Sequence, residues 1–205
     1  MENSPNILVI VGNDKLGRRL IARLDGRYPI HFAINPSNSV KRIRNLIFKW
    51  RALSMKALVN ISFAELLRKD YKIEPKDIVR SNADILSLIK EQDISEVYIF
   101  RIGIIINRRL LSSGVDFYNV HCARLPDYRG LGQVYRIFED RAFDQVATLH
   151  RVVEKIDAGE VIETRPYQMK KDLSYRENEE IAYQAGMDLL VSYIEKRLKM
   201  GLQQN

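Results

Sequence analysis

Apolar residues follow two rhythms along the chain. Residues 6–11 are a nearly continuous β-branched run, the pattern of a strand buried on both faces of a parallel sheet. Gly12-Asn13-Asp14 follows, and then a helical period over 15–24, so the chain opens as strand, turn and helix. Further strand patterns fall at 29–34, 77–80, 96–102 and 115–121, with helical stretches between them. Beyond a loop rich in Pro, Arg and Gly, the pattern predicts a helix over 133–142 and strands over 145–153 and 160–169. A closing helix is expected over 178–200, with Ile181, Ala185, Leu189, Ile194 and Leu198 at apolar positions and Gly201 as its stop. Such alternation implies βαβ units with right-handed crossovers, an α/β architecture around a mostly parallel sheet. No internal repeat or Pro/Gly/Ser linker interrupts it, so a single domain over 1–205 is expected.

Composition narrows this picture only slightly. With 46% apolar and 29% charged residues, the chain falls outside the disordered and low-complexity classes. Its apolar runs are too short to span a bilayer, and its first residues lack a basic leader, so a cytoplasmic location is expected. Cys122 is the one cysteine and cannot form an intramolecular disulfide. The net charge of +7 favours an anionic partner. Much of that charge lies between Lys41 and Lys56, where Ile43, Leu46, Ile47, Trp50 and Leu53 form one helical stripe. That stretch reads either as a surface helix packed on the sheet or as a basic lid beside an anionic substrate, with membrane-surface contact as a third reading.

Candidate chemistry concentrates at one strand end. Asn119 and His121 are two residues apart on a strand and point to the same side, at the carboxyl edge where open α/β sheets bind ligands. Ile156-Asp157-Ala158-Gly159 supplies a carboxylate downstream. An amide, an imidazole and a carboxylate together can run acyl transfer to an amine. Gly12, Asn13 and Lys15 open the first helix and are candidates for anion contact, although the turn lacks both G-x-G-x-x-G spacing and a phosphate-loop ending. Cys122 points away from His121, which disfavours a Cys-His nucleophile pair. His150 sits in an apolar strand as a supporting or core imidazole. The three histidines and one cysteine offer no metal-ligand spacing, so no metal is expected.

These residues resemble, in order and spacing, the formyltransferase catalytic domain shared by glycinamide ribonucleotide formyltransferase, methionyl-tRNA formyltransferase and the sugar N-formyltransferases. The resemblance rests on Asn119-x-His121, Leu125-Pro126-x-Tyr128-Arg129-Gly130, Thr148-Leu149-His150 and the segment from Ile156 to Ile162. It implies a Rossmann-like, mostly parallel twisted sheet with helices on both faces and antiparallel strands near the carboxyl terminus. It also implies 10-formyltetrahydrofolate as cosubstrate, held by Phe100, Arg101, Ile102 and Gly103 and by Val153 and Glu154. Asn119, His121 and Asp157 become the catalytic residues, His150 their support, and Tyr128 and Gln133 substrate contacts. Homodimerisation through a late sheet edge or the closing helix is a further implication.

Departures from the pattern bear on the acceptor. Ala123 stands where many members carry Ser, and Gly130-Leu131-Gly132-Gln133 replaces the continuation expected in the glycinamide ribonucleotide branch. The second glycine and Ser-Asn pair of that branch's phosphate turn are missing after Gly12-Asn13. Little chain follows residue 200 to build the carboxy-terminal β-barrel of methionyl-tRNA formyltransferase. The expected substrate is therefore a small anionic molecule, an amine linked to a nucleotide, and a nucleic-acid partner is not expected. The alternatives are glycinamide ribonucleotide formylation and a binding module that kept the fold and lost the reaction.

Overall fold

The computed structural model describes residues 5–36 and 55–203, the side chains of 55–58 and 201–203 excepted. The basic stretch 41–56 lies outside the described residues as far as Ser54.

Among the described residues seven strands form one sheet: β1 (Ile7–Gly12), β2 (Ile30–Asn35), β3 (Asp77–Ile78), β4 (Glu96–Phe100), β5 (Asp116–His121), β6 (Asp144–Arg151) and β7 (Val161–Gln168). Their order is β3-β2-β1-β4-β5-β6-β7. β3, β2, β1, β4 and β5 run parallel, and β6 and β7 pair antiparallel on the β5 side. The helices are α1 (Lys15–Leu24), α2 (Met55–Leu67), α3 (Asn82–Glu91), α4 (Arg108–Leu111), α5 (Gln133–Glu139) and α6 (Tyr175–Gln203). This is the Rossmann-like architecture expected from the sequence, with its antiparallel strands at the carboxyl side.

β1 explains why the sheet is buried on both faces. Ile7, Val9 and Val11 point into one apolar cluster with Leu16, Leu20, Leu189 and Leu190. Leu8 and Ile10 point into the other with Ile85, Ile89, Ile99 and Leu110. Each fully buried side chain of this size stabilises the fold by about 1.5–3 kcal/mol relative to exposure. Helix starts are fixed locally. The Asp14 carboxylate accepts from Gly17 N at 2.8 Å at the start of α1, and Ser81 and Asp84 make a reciprocal capping box at the start of α3. Gly17 must be glycine, because a Cβ there would sit 2.1 Å from Gly12 O.

Three expected elements have bounds that differ from the pattern. The strand expected over 96–102 ends at Phe100, because Arg101 adopts a left-handed backbone (φ 61°) that strand pairing does not accommodate. The closing helix begins at Tyr175 rather than 178: Ser174 Oγ and N both donate to Glu177 Oε2, an S-x-x-E signature one turn upstream. It also runs past Gly201 to Gln203. The helix expected to reach residue 142 stops at Glu139, where Asp140 N donates to Arg136 O and Arg141 turns left-handed (φ 53°).

Candidate active site

The β5–β6 pairing places Asn119 opposite His150 and His121 opposite Thr148. Asn119 Nδ2 therefore lies 3.1 Å from His150 Nε2. The loop between β6 and β7 swings Asp157 beneath both rings, with Oδ2 3.5 Å from His121 Nδ1 and Oδ1 3.5 Å from His150 Nε2. Asp157 holds a left-handed backbone (φ 50°), a conformation that Asp tolerates better than most side chains. Two residues on, Gly159 passes so close to β6 that a Cβ would sit 1.8 Å from Arg151 O. Only glycine lets the turn approach this near.

The other nitrogen of each ring is held by backbone. His121 Nε2 lies 2.7 Å from Tyr128 O, and His150 Nδ1 lies 3.0 Å from Arg151 O. A carbonyl oxygen only accepts, so these are the nitrogens that carry hydrogen when the rings are neutral. The nitrogens facing Asp157 then present lone pairs, and Asn119 donates one amide hydrogen to that of His150. Two lone pairs and a carboxylate around one point make a site for a single proton. The second amide hydrogen of Asn119 makes no hydrogen bond among the described residues.

Electrostatics fit this arrangement. Burial penalises the Asp157 carboxylate, but a proton shared with the facing nitrogen of His150 or of His121, together with the Gly130 N–H, outweighs it and holds its pKa at about 2. Burial pushes the pKa of His121 below its ordinary value, against the opposing pull of Asp157. The cage is thus set as an ionised carboxylate beside a neutral imidazole near pH 7. Next to it on β5, burial raises the Cys122 thiol to about 12, and its sulfur faces α6 rather than the cage.

The remaining expected site residues divide into those near the cage and those engaged elsewhere. Tyr128 lends His121 its carbonyl, while its hydroxyl donates to Asp140 Oδ2 at 3.3 Å. Gln133 opens α5, and its side chain makes no hydrogen bond among the described residues. Val153 and Glu154 line a cavity of about 320 Å³ with Leu111, Val115, Phe117 and Val152. Ile102 borders the same apolar cluster as Phe117 and Val152, whereas the Phe100 side chain is wholly buried on the opposite face. Arg101 turns its guanidinium to Asp14 (2.9 Å) and over the Tyr183 ring (4.4 Å), and Gly103 N donates to Asn35 Oδ1 at 2.9 Å. At the amino end of α1, Lys15 N donates to Glu65 Oε1 and Lys15 Nζ to the carbonyls of Leu66 and Arg68. Gly12 accepts from Asp14 N, and Asn13 Oδ1 accepts from Arg18. The sequence gives no sign of these carboxylates at the helix end, because Glu65 comes from fifty residues downstream.

Sequence reasoning also missed the clasp around Asp157. Arg129 Nε donates to Asp157 O and Gly130 N to Asp157 Oδ2, both at 2.8 Å. The Tyr128-Arg129-Gly130 string was visible, but its partner lies 27 or 28 residues away. Among the described residues no group of three or more His, Cys, Asp or Glu could hold a metal, and no helix is long and apolar enough to cross a membrane.

No family model matches the chain. Methionyl-tRNA formyltransferase of Bdellovibrio bacteriovorus is 27% identical over 120 residues, 58% of this chain and 38% of that protein. The chain thus matches about two fifths of the length of such curated relatives. Among solved structures, a sugar N-formyltransferase from a Shewanella species superposes with a TM-score of 0.62 at 15% identity, over 95% of this chain and 70% of that one. Phosphoribosylglycinamide formyltransferase from Anaplasma phagocytophilum gives 0.66 at 14% identity, over 98% and 88%. The structural likenesses establish a shared fold.

Proposed function

We propose, from the premise that the chain resembles the folate-dependent formyltransferase family in sequence and shares its fold, that it moves the formyl group of 10-formyltetrahydrofolate to a primary amine. The observation that carries the proposal is the cage itself: Asn119, His121 and His150 converge on the carboxylate of Asp157.

The reaction forms a bond from the amine nitrogen to the formyl carbon and breaks the bond from that carbon to the folate nitrogen. One proton leaves the amine and one reaches the departing nitrogen. The second amide hydrogen of Asn119 is the donor for the developing oxyanion, a role worth about 10²–10³ in rate. Both nitrogens of His121 are engaged, one by Tyr128 O and the other toward Asp157, which favours proton transfer over oxyanion donation for this ring. Asp157 and His121 together receive the amine proton and return it. The cavity beside Val152, Val153 and Glu154, with Leu111 and Phe117 for walls, suits the flat ring of a folate, and its volume falls within the range of small-molecule clefts.

For the acceptor we favour an amino sugar on a nucleoside diphosphate. At the amino end of α1 the amide hydrogens of Lys15 and Gly17 are already taken by the Glu65 and Asp14 carboxylates, which leaves fewer donors for a phosphate directed there, as glycinamide ribonucleotide would require. Tyr128 and Gln133 are assigned to the acceptor side. A second reading has one observation behind it: the curated relatives are methionyl-tRNA formyltransferases, which makes an aminoacyl amine the alternative acceptor. The test supplies purified protein with 10-formyltetrahydrofolate and, in separate reactions, several nucleotide-linked amino sugars, glycinamide ribonucleotide and methionyl-tRNA, following tetrahydrofolate release. Turnover of an amino sugar supports the assignment, turnover of another acceptor alone reverses the ranking, and turnover of none overturns the activity. Light scattering of the same sample tests a homodimer.

A further inference from the structure

Arg129 and Arg136 lie outside the cage, yet Arg129 belongs to the short segment that supports it and Arg136 binds that segment from α5. Three consecutive residues, Tyr128, Arg129 and Gly130, each touch the cage or its carrier. Tyr128 O accepts from His121 Nε2, Arg129 Nε donates to Asp157 O, and Gly130 N donates to Asp157 Oδ2. From α5, Arg136 Nη2 donates to Arg129 O while its guanidinium lies 5.8 Å from the centre of the Tyr128 ring. Gly130 has a left-handed backbone (φ 81°), so the segment bends sharply between its contacts. Asp157 is itself in a left-handed conformation (φ 50°) within the turn that these contacts hold.

We infer that Arg129 and Arg136 are positioning residues, a two-arginine brace that fixes the Tyr128–Gly130 segment and through it the orientation of His121 and Asp157. Arg136 anchors the segment to α5 by the carbonyl of Arg129. Arg129 anchors the Asp157 turn to the segment by its own guanidinium. Neither side chain needs to touch substrate for this. Because a cage group displaced by about 1 Å can cost about a hundredfold in rate, loss of the brace acts on turnover rather than on binding.

The inference rests on the proposed formyl transfer, and the test separates the two. Arg129→Ala, Arg129→Lys, Arg136→Ala and Arg136→Lys are compared with the unmodified protein for kcat, KM, melting temperature and the slowly exchanging Nε2–H proton of His121 in the NMR spectrum. The brace predicts kcat lower by about 10- to 100-fold in both alanine variants, KM within about threefold, and an unchanged melting temperature. It also predicts loss of the His121 Nε2–H signal in Arg136→Ala and partial rescue by lysine at 129, which can still reach the Asp157 carbonyl. A kcat within about twofold of the unmodified protein overturns it, as does a rise in KM that accounts for the whole effect, which would make the arginines substrate contacts. If the unmodified protein transfers no formyl group to any acceptor, the proposed function fails. The NMR signal still decides the brace, and an unchanged signal in Arg136→Ala overturns it.

Discussion

Asn119 Nδ2 and His150 Nε2 stand 3.1 Å apart across the β5–β6 pair, so the imidazole fixes which way the amide faces. With its rotamer set, Asn119 keeps a second N–H that makes no hydrogen bond among the described residues. Asn119→Ala should lower kcat by about 10²–10³ with an unchanged circular-dichroism spectrum. His150→Ala leaves the amide in place but free to turn, and its loss should be smaller. Single-turnover rates for both variants check this, and an Asn119→Ala rate near that of the unmodified protein would remove the amide from the chemistry.

Asp157 and His121 make the protein sensitive to acid, and the sign follows from their shifts. The carboxylate titrates at about 2 in the fold against 3.8 in a free chain, so its contribution is complete above about pH 5 and is lost as pH falls through 3.8 and on past 2. That contribution is on the order of 2 kcal/mol. His121 has a folded pKa below 6.5, so the unfolded chain takes up the proton first and stability begins to fall once pH drops below 6.5. Melting temperature measured from pH 7 to pH 3 should therefore decline in two stages. In Asp157→Asn the lower stage should flatten while formyl transfer falls by about 10²–10⁴. A lower stage that persists unchanged in this variant would contradict the assignment.

Much of the fold was legible because its signals are local. The β-branched run of β1 and the periodic helices needed no partner to be recognised, and the Asn119-x-His121 pair declared its geometry by spacing alone. The onset of α6 was equally local, in Ser174-x-x-Glu177, but the apolar period draws the eye to a later start. What stayed hidden depends on chain returning from far away. Arg101 leaves the strand to meet Asp14, 87 residues upstream, and Lys15 is held by Leu66 and Arg68. Arg129 faces Asp157 only after β6 has been laid between them. No pattern within one element encodes such meetings, because they are settled by tertiary packing.

Two glycines should respond differently to alanine. At Gly159 the added Cβ would meet backbone, Arg151 O at 1.8 Å, so the turn carrying Asp157 must move and both stability and turnover should fall. At Gly186 it would meet the Cys122 sulfur at 2.5 Å, a clash between α6 and β5 away from the cage. Overpacking of this kind costs about 1–3 kcal/mol. The Gly186→Ala variant should melt lower yet keep most of its kcat, and adding Cys122→Ala should restore part of the stability. Chemical denaturation with parallel rate measurements distinguishes the two sites. Equal loss of kcat in both would contradict their separation.

Arg68 is the ionic centre of the α2–α6 contact, and its removal should make stability depend on pH in a new direction. Its guanidinium is 3% exposed and donates to Glu179 at 2.7 Å, with Glu65 and Glu180 as further partners. Glu179 is 5% exposed, and burial already pushes its pKa above the ordinary value despite the arginine. Arg68→Met would leave that carboxylate buried without its cation, at a cost of about 3–5 kcal/mol. The folded pKa of Glu179 would then rise further above its unfolded value. A raised carboxyl favours the fold below that pKa and opposes it as pH rises, so the deficit of Arg68→Met should be smaller at pH 5 than at pH 8. Adding Glu179→Gln removes the stranded charge while keeping an oxygen for the Tyr175 hydroxyl, which now donates to Glu179 at 2.7 Å. The double variant should recover much of the stability and lose the pH dependence. Urea unfolding of the single and double variants at the two pH values tests this, and an equal deficit at both would show that Arg68 acts by packing rather than by charge.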